Sequence, residues 1–261
     1  MTDAPLIRYQ KPAAAAHRPT EAQLRQEIVE VGRYLWQKGL VAALDGNVSA
    51  RLDRDRVLCS PSGISKGLMT PNDLVVVNAA GEPVGPPARG GRRPSSEVLM
   101  HLEAYRLRPD VMAVVHAHPP TAVALSIAGI SLAQCLLPEV VLGFGLIPTT
   151  AYATPASAEG AAVIRDLVTR YDALILQRHG SLTVGTTVLE AYLKLEKLEQ
   201  VAQITRTLVT VGGGLPLPPE ELTKLLAWRE SQGLMKPGMA DDFCRACGAC
   251  RTAGEPRGAK R

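Results

Sequence analysis

Two short apolar runs, each ending in histidine, constrain this chain more than any other feature. Ala113-Val114-Val115-His116-Ala117-His118 has the length and β-branched content of a buried strand, and Pro119-Pro120 closes it. Alternate residues of a strand project from one face, so His116 and His118 stand on the same side, roughly 7 Å apart at about 3.3 Å of rise per residue. A second run, Ala173-Leu174-Ile175-Leu176-Gln177-Arg178, carries His179 at its exit with Gly180 behind it. Upstream, Arg93-Pro94-Ser95-Ser96-Glu97 opens a helical pattern and places a carboxylate at its start. A lone His-x-His pair reads equally well as two surface histidines. Three histidines with a nearby carboxylate are the donor set of a catalytic zinc site, neutral nitrogens with a position left for water or substrate. Manganese, iron or cobalt would also suit such a site.

The rest of the composition narrows the class. An apolar share of 46% over 261 residues supports one large core, built from Leu, Val and Ala because aromatics reach only 4%. A net charge of +4 is too weak to argue for nucleic acid. No apolar run approaches the roughly 18 residues of a membrane span, and Met1-Thr2-Asp3-Ala4-Pro5 lacks a signal-peptide core. A cytoplasmic enzyme is the expectation. Of the five cysteines, Cys59 and Cys135 stand alone in apolar surroundings and read as core residues. Cys244, Cys247 and Cys250 make a C-x-x-C-x-x-C tail, one thiolate short of a closed zinc or iron–sulfur site. A reduced, flexible tail is expected there, ahead of a metal shared between subunits.

Residues 1–18 read as a disordered arm, residues 19–232 as the folded domain and residues 233–261 as a Cys-rich basic tail. A helix is expected from Thr20, with Gln23 closing a capping box, to just before Gly39. Leu40 to Leu52 reads as strand–turn–strand around Asp45-Gly46-Asn47. Strands are expected at 56–59 and 74–77, then a Pro/Gly/Arg-rich loop from Gly81 to Gly91 and a helix from Ser96 to about Leu107. The His116 strand should lead into a helix near 122–128, followed by an extended segment over 143–152. A helix over 158–170 precedes the strand to His179, and Ser181 to Gly185 forms one more strand. Thr187 and Glu190 read as the capping box of a long helix to about Thr210, and 218–232 as a last short one. Interleaved strands and helices, with several strands joined by short turns, predict a three-layer α/β/α sandwich around a mixed, largely antiparallel sheet.

Small and hydroxylated residues recur in three places: Gly46-Asn47, Ser62-Gly63 and Ser95-Ser96. Each pair singly reads as a turn or an N-cap. Together they offer an anion backbone amides, hydroxyls and a helix N-terminus. The order Gly46-Asn47-Val48-Ser49, Ser60-Pro61-Ser62-Gly63, Pro94-Ser95-Ser96-Glu97, His116-Ala117-His118, His179-Gly180 resembles the class II aldolase/adducin family over about residues 21–211. The resemblance implies metal ligation by His116, His118 and His179. It implies a substrate phosphate held by Gly46, Asn47, Ser62, Gly63, Ser95 and Ser96, and Glu97 as acid/base residue, a role a carboxylate near the metal can fill if burial raises its pKa toward neutrality. It also implies a homotetramer with sites built across the subunit boundary.

Three functions compete under that resemblance. The first is cleavage of a ketose 1-phosphate to dihydroxyacetone phosphate and an aldehyde through a metal-stabilised enediolate. The second keeps the metal site for epimerisation, dehydration or decarboxylation of a sugar or sugar-acid phosphate. The third is a non-catalytic, adducin-like interaction module, against which the intact histidine triad and Glu97 argue. One departure stands out: where aldolases of the family supply a proton-donating tyrosine, Leu136-Leu137-Pro138-Glu139 stands, which makes Glu139 a candidate second acid or a plain salt-bridge partner. His101, one turn beyond Glu97 on the same helix face, could touch the site but ranks first as an ordinary helix residue; Lys66 and Arg178 flank the motifs and could assist an anion, below the serines in rank. A basic group of the Arg89/Arg92/Arg93 loop aimed at the metal would favour a carboxylated substrate.

Overall fold

The computed structural model describes residues 18–247. The arm ahead of Arg18, with His17, and the end of the tail, with Cys250, lie outside the described residues. The chain opens with helix α1 (Glu21–Gln37), started by the expected capping box of Thr20 and Gln23. Strands β1 (Asn47–Arg51), β2 (Arg56–Cys59) and β3 (Val75–Asn78) follow. Then come helix α2 (Val98–Leu107), strand β4 (Ala113–Ala117), and helices α3 (Pro120–Ile127), α4 (Pro138–Gly143), α5 (Ala158–Ala162) and α6 (Arg165–Val168). Strands β5 (Ala173–Leu176) and β6 (Gly180–Gly185) complete the sheet, and α7 (Val188–Thr210), α8 (Pro219–Ser231) and α9 (Met239–Cys247) close the described chain.

The sheet runs β3-β2-β1-β4-β6-β5, each named pair antiparallel, with a parallel bridge between Thr149 and Ile175. Strand alternation sorts the core into layers. Val48, Ala50, Ala113, Val115 and Ala117 pack with Ile28 and Leu35 of α1 and with Ala191 and Leu195 of α7. From the opposite face, Val114, Leu174, Leu182 and Val184 pack with Met100 and Ala104 of α2 and Val168 of α6. The expected three-layer α/β/α arrangement is therefore present. Val188, Ala191 and Leu195 of α7 are fully buried on that face, as are Ile28 and Leu35 of α1, each contributing by the apolar surface it removes from water.

Several elements differ from expectation for local reasons. From Leu40 to Gly46 the chain turns rather than pairs; its tie to the sheet is the Leu40 carbonyl, which accepts from the His118 amide at 3.0 Å. Helix α4 was expected only as chain leading to an extended segment, yet Pro138 supplies a ready first turn and Val140 and Val141 find core on either side. The expected helix over 158–170 breaks between Ala162 and Arg165, where Ile164 turns its side chain into the core. At α7, Thr187 caps the Glu190 amide, but the Glu190 carboxylate reaches the Thr186 amide instead of closing the box. The tail departs most. Met239 and Phe243 lie one turn apart and are fully buried, so α9 docks on the core, and Cys135, read as a lone core residue, is disulfide-bonded to Cys247.

One polar junction holds the strand that leads to His179. Asp172, just before β5, accepts from Arg108 at 3.0 Å and from Lys194 of α7 at 2.9 Å, and Lys194 also donates to the Val184 carbonyl. Burial alone would push the Asp172 carboxyl up, but the two cations outweigh it and hold it at about 2. A carboxylate so lowered stabilises the fold above its unfolded value of about 3.9 and loses that contribution as pH falls toward 2. Asp172→Asn is expected to cost about 1–3 kcal/mol near neutrality and to flatten the acid limb below pH about 4; urea titrations across that range check both.

Candidate metal centre and anion cradle

The register of β4 builds the centre. His116 pairs with Asn47 of β1 on one side and Leu182 of β6 on the other, so its backbone is held from both edges. His118 lies one residue beyond β4, its backbone anchored to Leu40. His179 sits in the turn between β5 and β6, which the β4–β6 pairing folds over the same strand end. The three rings meet with centroids 4.8–4.9 Å apart. Glu97, at the residue before α2, places its carboxylate 3.1 Å from His116 Nε2 and 3.3 Å from His179 Nε2. One donor atom from each of Glu97, His116, His118 and His179 lies within 4.8 Å of all the others. The sequence-derived ligand set thus converges.

The hydrogen bonding fixes what those donors present. His116 Nδ1 lies 2.9 Å from the Ser181 carbonyl, which can only accept, so Nδ1 carries a proton, and in the neutral ring that leaves Nε2 its lone pair. His118 Nδ1 faces the Asp45 carboxylate at 3.4 Å, which orients that ring in the same sense. The two Nε2 atoms stand 3.0 Å apart beside the Glu97 oxygens. Lone pairs and a carboxylate crowded like this repel one another unless a cation lies among them. Three neutral imidazoles with partners behind two of them, and one carboxylate, are the donor chemistry a borderline divalent metal takes. The residues present fit such an ion.

Burial, followed by the charge of His116, lowers His179 to about 4; His118 is lowered by the same causes in the same order. Both rings are therefore held neutral, the ligating form. For Glu97 the condition of a raised pKa is not met. Burial does push its carboxyl up, but the adjoining His116 ring, then His179, outweigh it, and the group is held at about 2. Close backbone approach completes the geometry. A Cβ on Gly180 would stand 2.4 Å from the Ala117 carbonyl and 2.9 Å from the His118 ring, and one on Gly46 would stand 3.0 Å from the His116 carbonyl. Gly46 also has a φ of 71° and the exposed Arg178 one of 60°, so the turn carrying His179 holds a non-glycine residue in the left-handed region.

The small-residue motifs gather beside this centre. The Val48 amide donates to Ser60 Oγ, the Ser95 amide to the Ser60 carbonyl, and the Ser62 amide to the Arg93 carbonyl. These bonds lace the segments carrying Gly46-Asn47, Ser62-Gly63 and Ser95-Ser96 together. Asn47 Nδ2 reaches Glu97 at 3.3 Å while its buried Oδ1 has no partner. A cleft lined by Ser96, Glu97, Thr150, Gln177 and His179 opens next to the metal donors.

The other candidates separate from the centre. Lys66 is buried and donates to the Leu44 and Ile64 carbonyls at 2.9 and 2.8 Å, so it ties two cradle loops together instead of meeting solvent. Burial lowers its ammonium to about 8. Arg92 is bonded to Asp73. Glu139, 53% exposed, pairs with Lys197 of α7 at 3.3 Å. Sequence reading passed over Asp45 and Ser181. Asp45 lay in a recognised turn and could have been suspected, whereas Ser181 acts through its carbonyl, which no side-chain motif reveals. His101, ranked as an ordinary helix residue, is fully buried and bonded through Nδ1 to Ser49 Oγ at 2.7 Å, and Ser49 is in turn bonded to Tyr105.

Comparison with known proteins gives the family. Residues 26–205 match the family described as the class II aldolase and adducin N-terminal domain. A 3-oxo-tetronate 4-phosphate decarboxylase of Cupriavidus necator is 32% identical over 213 residues, covering 79% of this chain and 95% of that protein. An L-fuculose phosphate aldolase of Methanococcus vannielii is 32% identical over 185 residues, covering 71% and 97%. The crystal structure of YgbL from Klebsiella pneumoniae superposes with a TM-score of 0.71 at 32% identity, covering 80% of this chain and all of that one. The chain belongs to the class II aldolase and adducin family.

Two variants test the geometry. His118→Ala is expected to lose bound metal while keeping the fold, measured as metal per chain after gel filtration; normal metal content refutes the ligand assignment. Lys66→Met strips two buried carbonyls of their donor, at about 1–3 kcal/mol. It is expected to raise KM for a phosphorylated substrate more than it lowers kcat.

Proposed function

We propose that this chain is a metal-dependent carbon–carbon lyase that cleaves a ketose 1-phosphate to dihydroxyacetone phosphate and an aldehyde. The observation that carries the reading is the convergence of His116, His118, His179 and Glu97 donors within 4.8 Å of one another. The three histidines would hold the ion, zinc by donor preference, with manganese, iron or cobalt also compatible. A divalent metal bound there supplies Lewis-acid polarisation of the substrate carbonyl.

The chain's own residues do the rest. Gly46, Asn47, Ser62, Gly63, Ser95 and Ser96 hold the phosphate through amides and hydroxyls at the head of α2. Cleavage leaves an electron pair on the carbon beside the carbonyl, and Glu97, when it carries a proton, delivers it there; in the reverse direction its carboxylate removes that proton. The imidazoles beside it keep it ionised in the resting site. The proton at the aldehyde oxygen needs another group. Glu139 is exposed and bridged to Lys197, so its part as second acid would be played toward a neighbouring copy, in the homotetramer that we also propose.

A second reading is decarboxylation of a sugar-acid phosphate. Glu97 is the single carboxylate within the donor cluster of the described residues, and Leu137 stands near the position of the aldolase tyrosine. Loss of carbon dioxide leaves the same electron pair and needs a proton at carbon alone, which Glu97 would relay from solvent. Similarity to the Cupriavidus necator decarboxylase points the same way.

Metal-loaded protein assayed against ketose 1-phosphates and sugar-acid phosphates, with aldehyde and carbon dioxide both measured, separates the two. Turnover of neither class overturns the lyase reading. Glu97→Gln is expected to keep metal but lower kcat at least 100-fold and to abolish exchange of the substrate C–H with deuterated water. Unchanged exchange counts against its proton-transfer role.

A further inference from the structure

Asn47, Ser49 and Arg51 of β1 meet Glu97, His101 and Tyr105 at the head of α2 and along it, pair by pair. Asn47 Nδ2 donates to Glu97 at 3.3 Å; Ser49 Oγ lies 2.7 Å from His101 Nδ1 and 2.8 Å from the Tyr105 hydroxyl. The Arg51 guanidinium carbon stands 4.8 Å from the centroid of the Tyr105 ring, and Arg51 also donates to the Tyr105 and Val111 carbonyls. The strand residues are two apart in the chain and the helix residues four apart. Two residues of strand advance about 6.6 Å and four of helix about 6 Å, so the pairs keep step along both elements. Arg51 fixes the far end of this polar zipper; Glu97 is the near end, at the metal centre.

The middle pair is buried, with Ser49 fully enclosed and His101 1% exposed. Burial pushes the Tyr105 phenol up, so it keeps its proton and donates it to Ser49 Oγ. The serine hydroxyl then donates to His101 Nδ1. Burial, followed by the neighbouring His116 ring, lowers His101 to about 3 and keeps it neutral, so Nε2 carries the ring hydrogen. Nε2 has no hydrogen-bond partner among the described residues. A buried donor without an acceptor costs stability, and a leucine would fill the same layer without that cost. Packing therefore does not account for a histidine there. Its place does: Glu97 lies one turn away on the same helix face.

We propose, on the reading of Glu97 as the proton-transfer residue, that His101 is its positioning residue. Bonded to Ser49, His101 pins the head of α2 to β1 and sets the Glu97 carboxylate against Asn47 and the histidines. The register of β1 also pairs Asn47 with His116, so one strand places both the carboxylate and a metal ligand. Tyr105 sets the direction of the hydrogen bonds, and Arg51 holds Tyr105. His101 acts through the helix and carries no proton of the reaction. Without its bond the carboxylate gains freedom, and a misplacement of about 1 Å costs about 100-fold in rate.

The test compares the metal-loaded full chain with His101→Leu, His101→Asn and Tyr105→Phe. Metal per chain, kcat, KM and exchange of the substrate C–H with deuterated water are measured for each. His101→Leu is expected to keep its metal and to hold KM within about twofold, while kcat and exchange both fall about 10-fold or more. His101→Asn places an amide oxygen where Nδ1 met Ser49 and is expected to recover most of that loss. Tyr105→Phe keeps the ring and its packing and is expected to lose about threefold or more in kcat; it decides the matter if His101→Leu does not fold. NMR of protein labelled at the histidine nitrogens should show His101 neutral with its hydrogen on Nε2, and that signal should move in Tyr105→Phe. Unchanged kcat in both His101→Leu and Tyr105→Phe, a fall in kcat shared equally by KM and metal content, or a hydrogen on Nδ1 overturns the proposal. A parent that turns over neither class of substrate overturns the lyase reading instead, and the proposal with it.

Discussion

The antiparallel pairing of β4 with its two neighbours is the constraint on which the rest depends. It sets Asn47 opposite His116 on one edge and Leu182 opposite it on the other. Because side chains alternate, a one-residue slip would turn His116 into the layer where Val115 and Ala117 now pack with α1 and α7. Burial of those apolar residues therefore fixes which way the histidine points. The same register carries the β5–β6 turn over the strand end and brings His179 and the Ser181 carbonyl to His116.

Convergence alone would not make a metal centre; the surroundings impose the chemical form of the donors. The Ser181 carbonyl and the Asp45 carboxylate take the Nδ1 protons of His116 and His118 and leave both Nε2 lone pairs facing inward. Gly180 lets the backbone pass within reach of both rings, where any side chain would push the turn away. The left-handed φ of Arg178 is the accompanying strain, held in place by its amide bond to Ser126 Oγ. Donors gathered to 3.0 Å, with both Nδ1 atoms engaged elsewhere, are a preorganised cation site.

Outside the centre, two buried cations act as ties. Lys194 and Arg108 meet at Asp172 and hold the entry of β5 against α7 and the end of α2. Lys66 joins the Leu44 and Ile64 carbonyls, so the two loops that flank the cradle move together. Neither tie touches a candidate ligand, yet both limit how far the ligands can separate.

Much of this was legible in the chain order. The strand ending in His116 and His118, the strand before His179, the Thr20 cap and the long α7 follow from apolar period and capping chemistry, which are local. Those signals specified the candidate ligands, the small-residue motifs and the α/β class. What local signals cannot carry is the depth to which a charge is buried and the partner it meets across the fold. Glu97 ends below its usual pKa because two imidazoles outweigh its burial, Lys66 faces inward because two loops close over it, and Glu139 meets Lys197 on a distant helix. Cys135 finds Cys247 because α9 docks through Met239 and Phe243, a contact no spacing announces. The sequence by itself determined which donors exist and on which strand ends they stand; tertiary packing alone decided their protonation, their orientation and their distant neighbours, because each of those is set by atoms that the chain brings close only after it has folded.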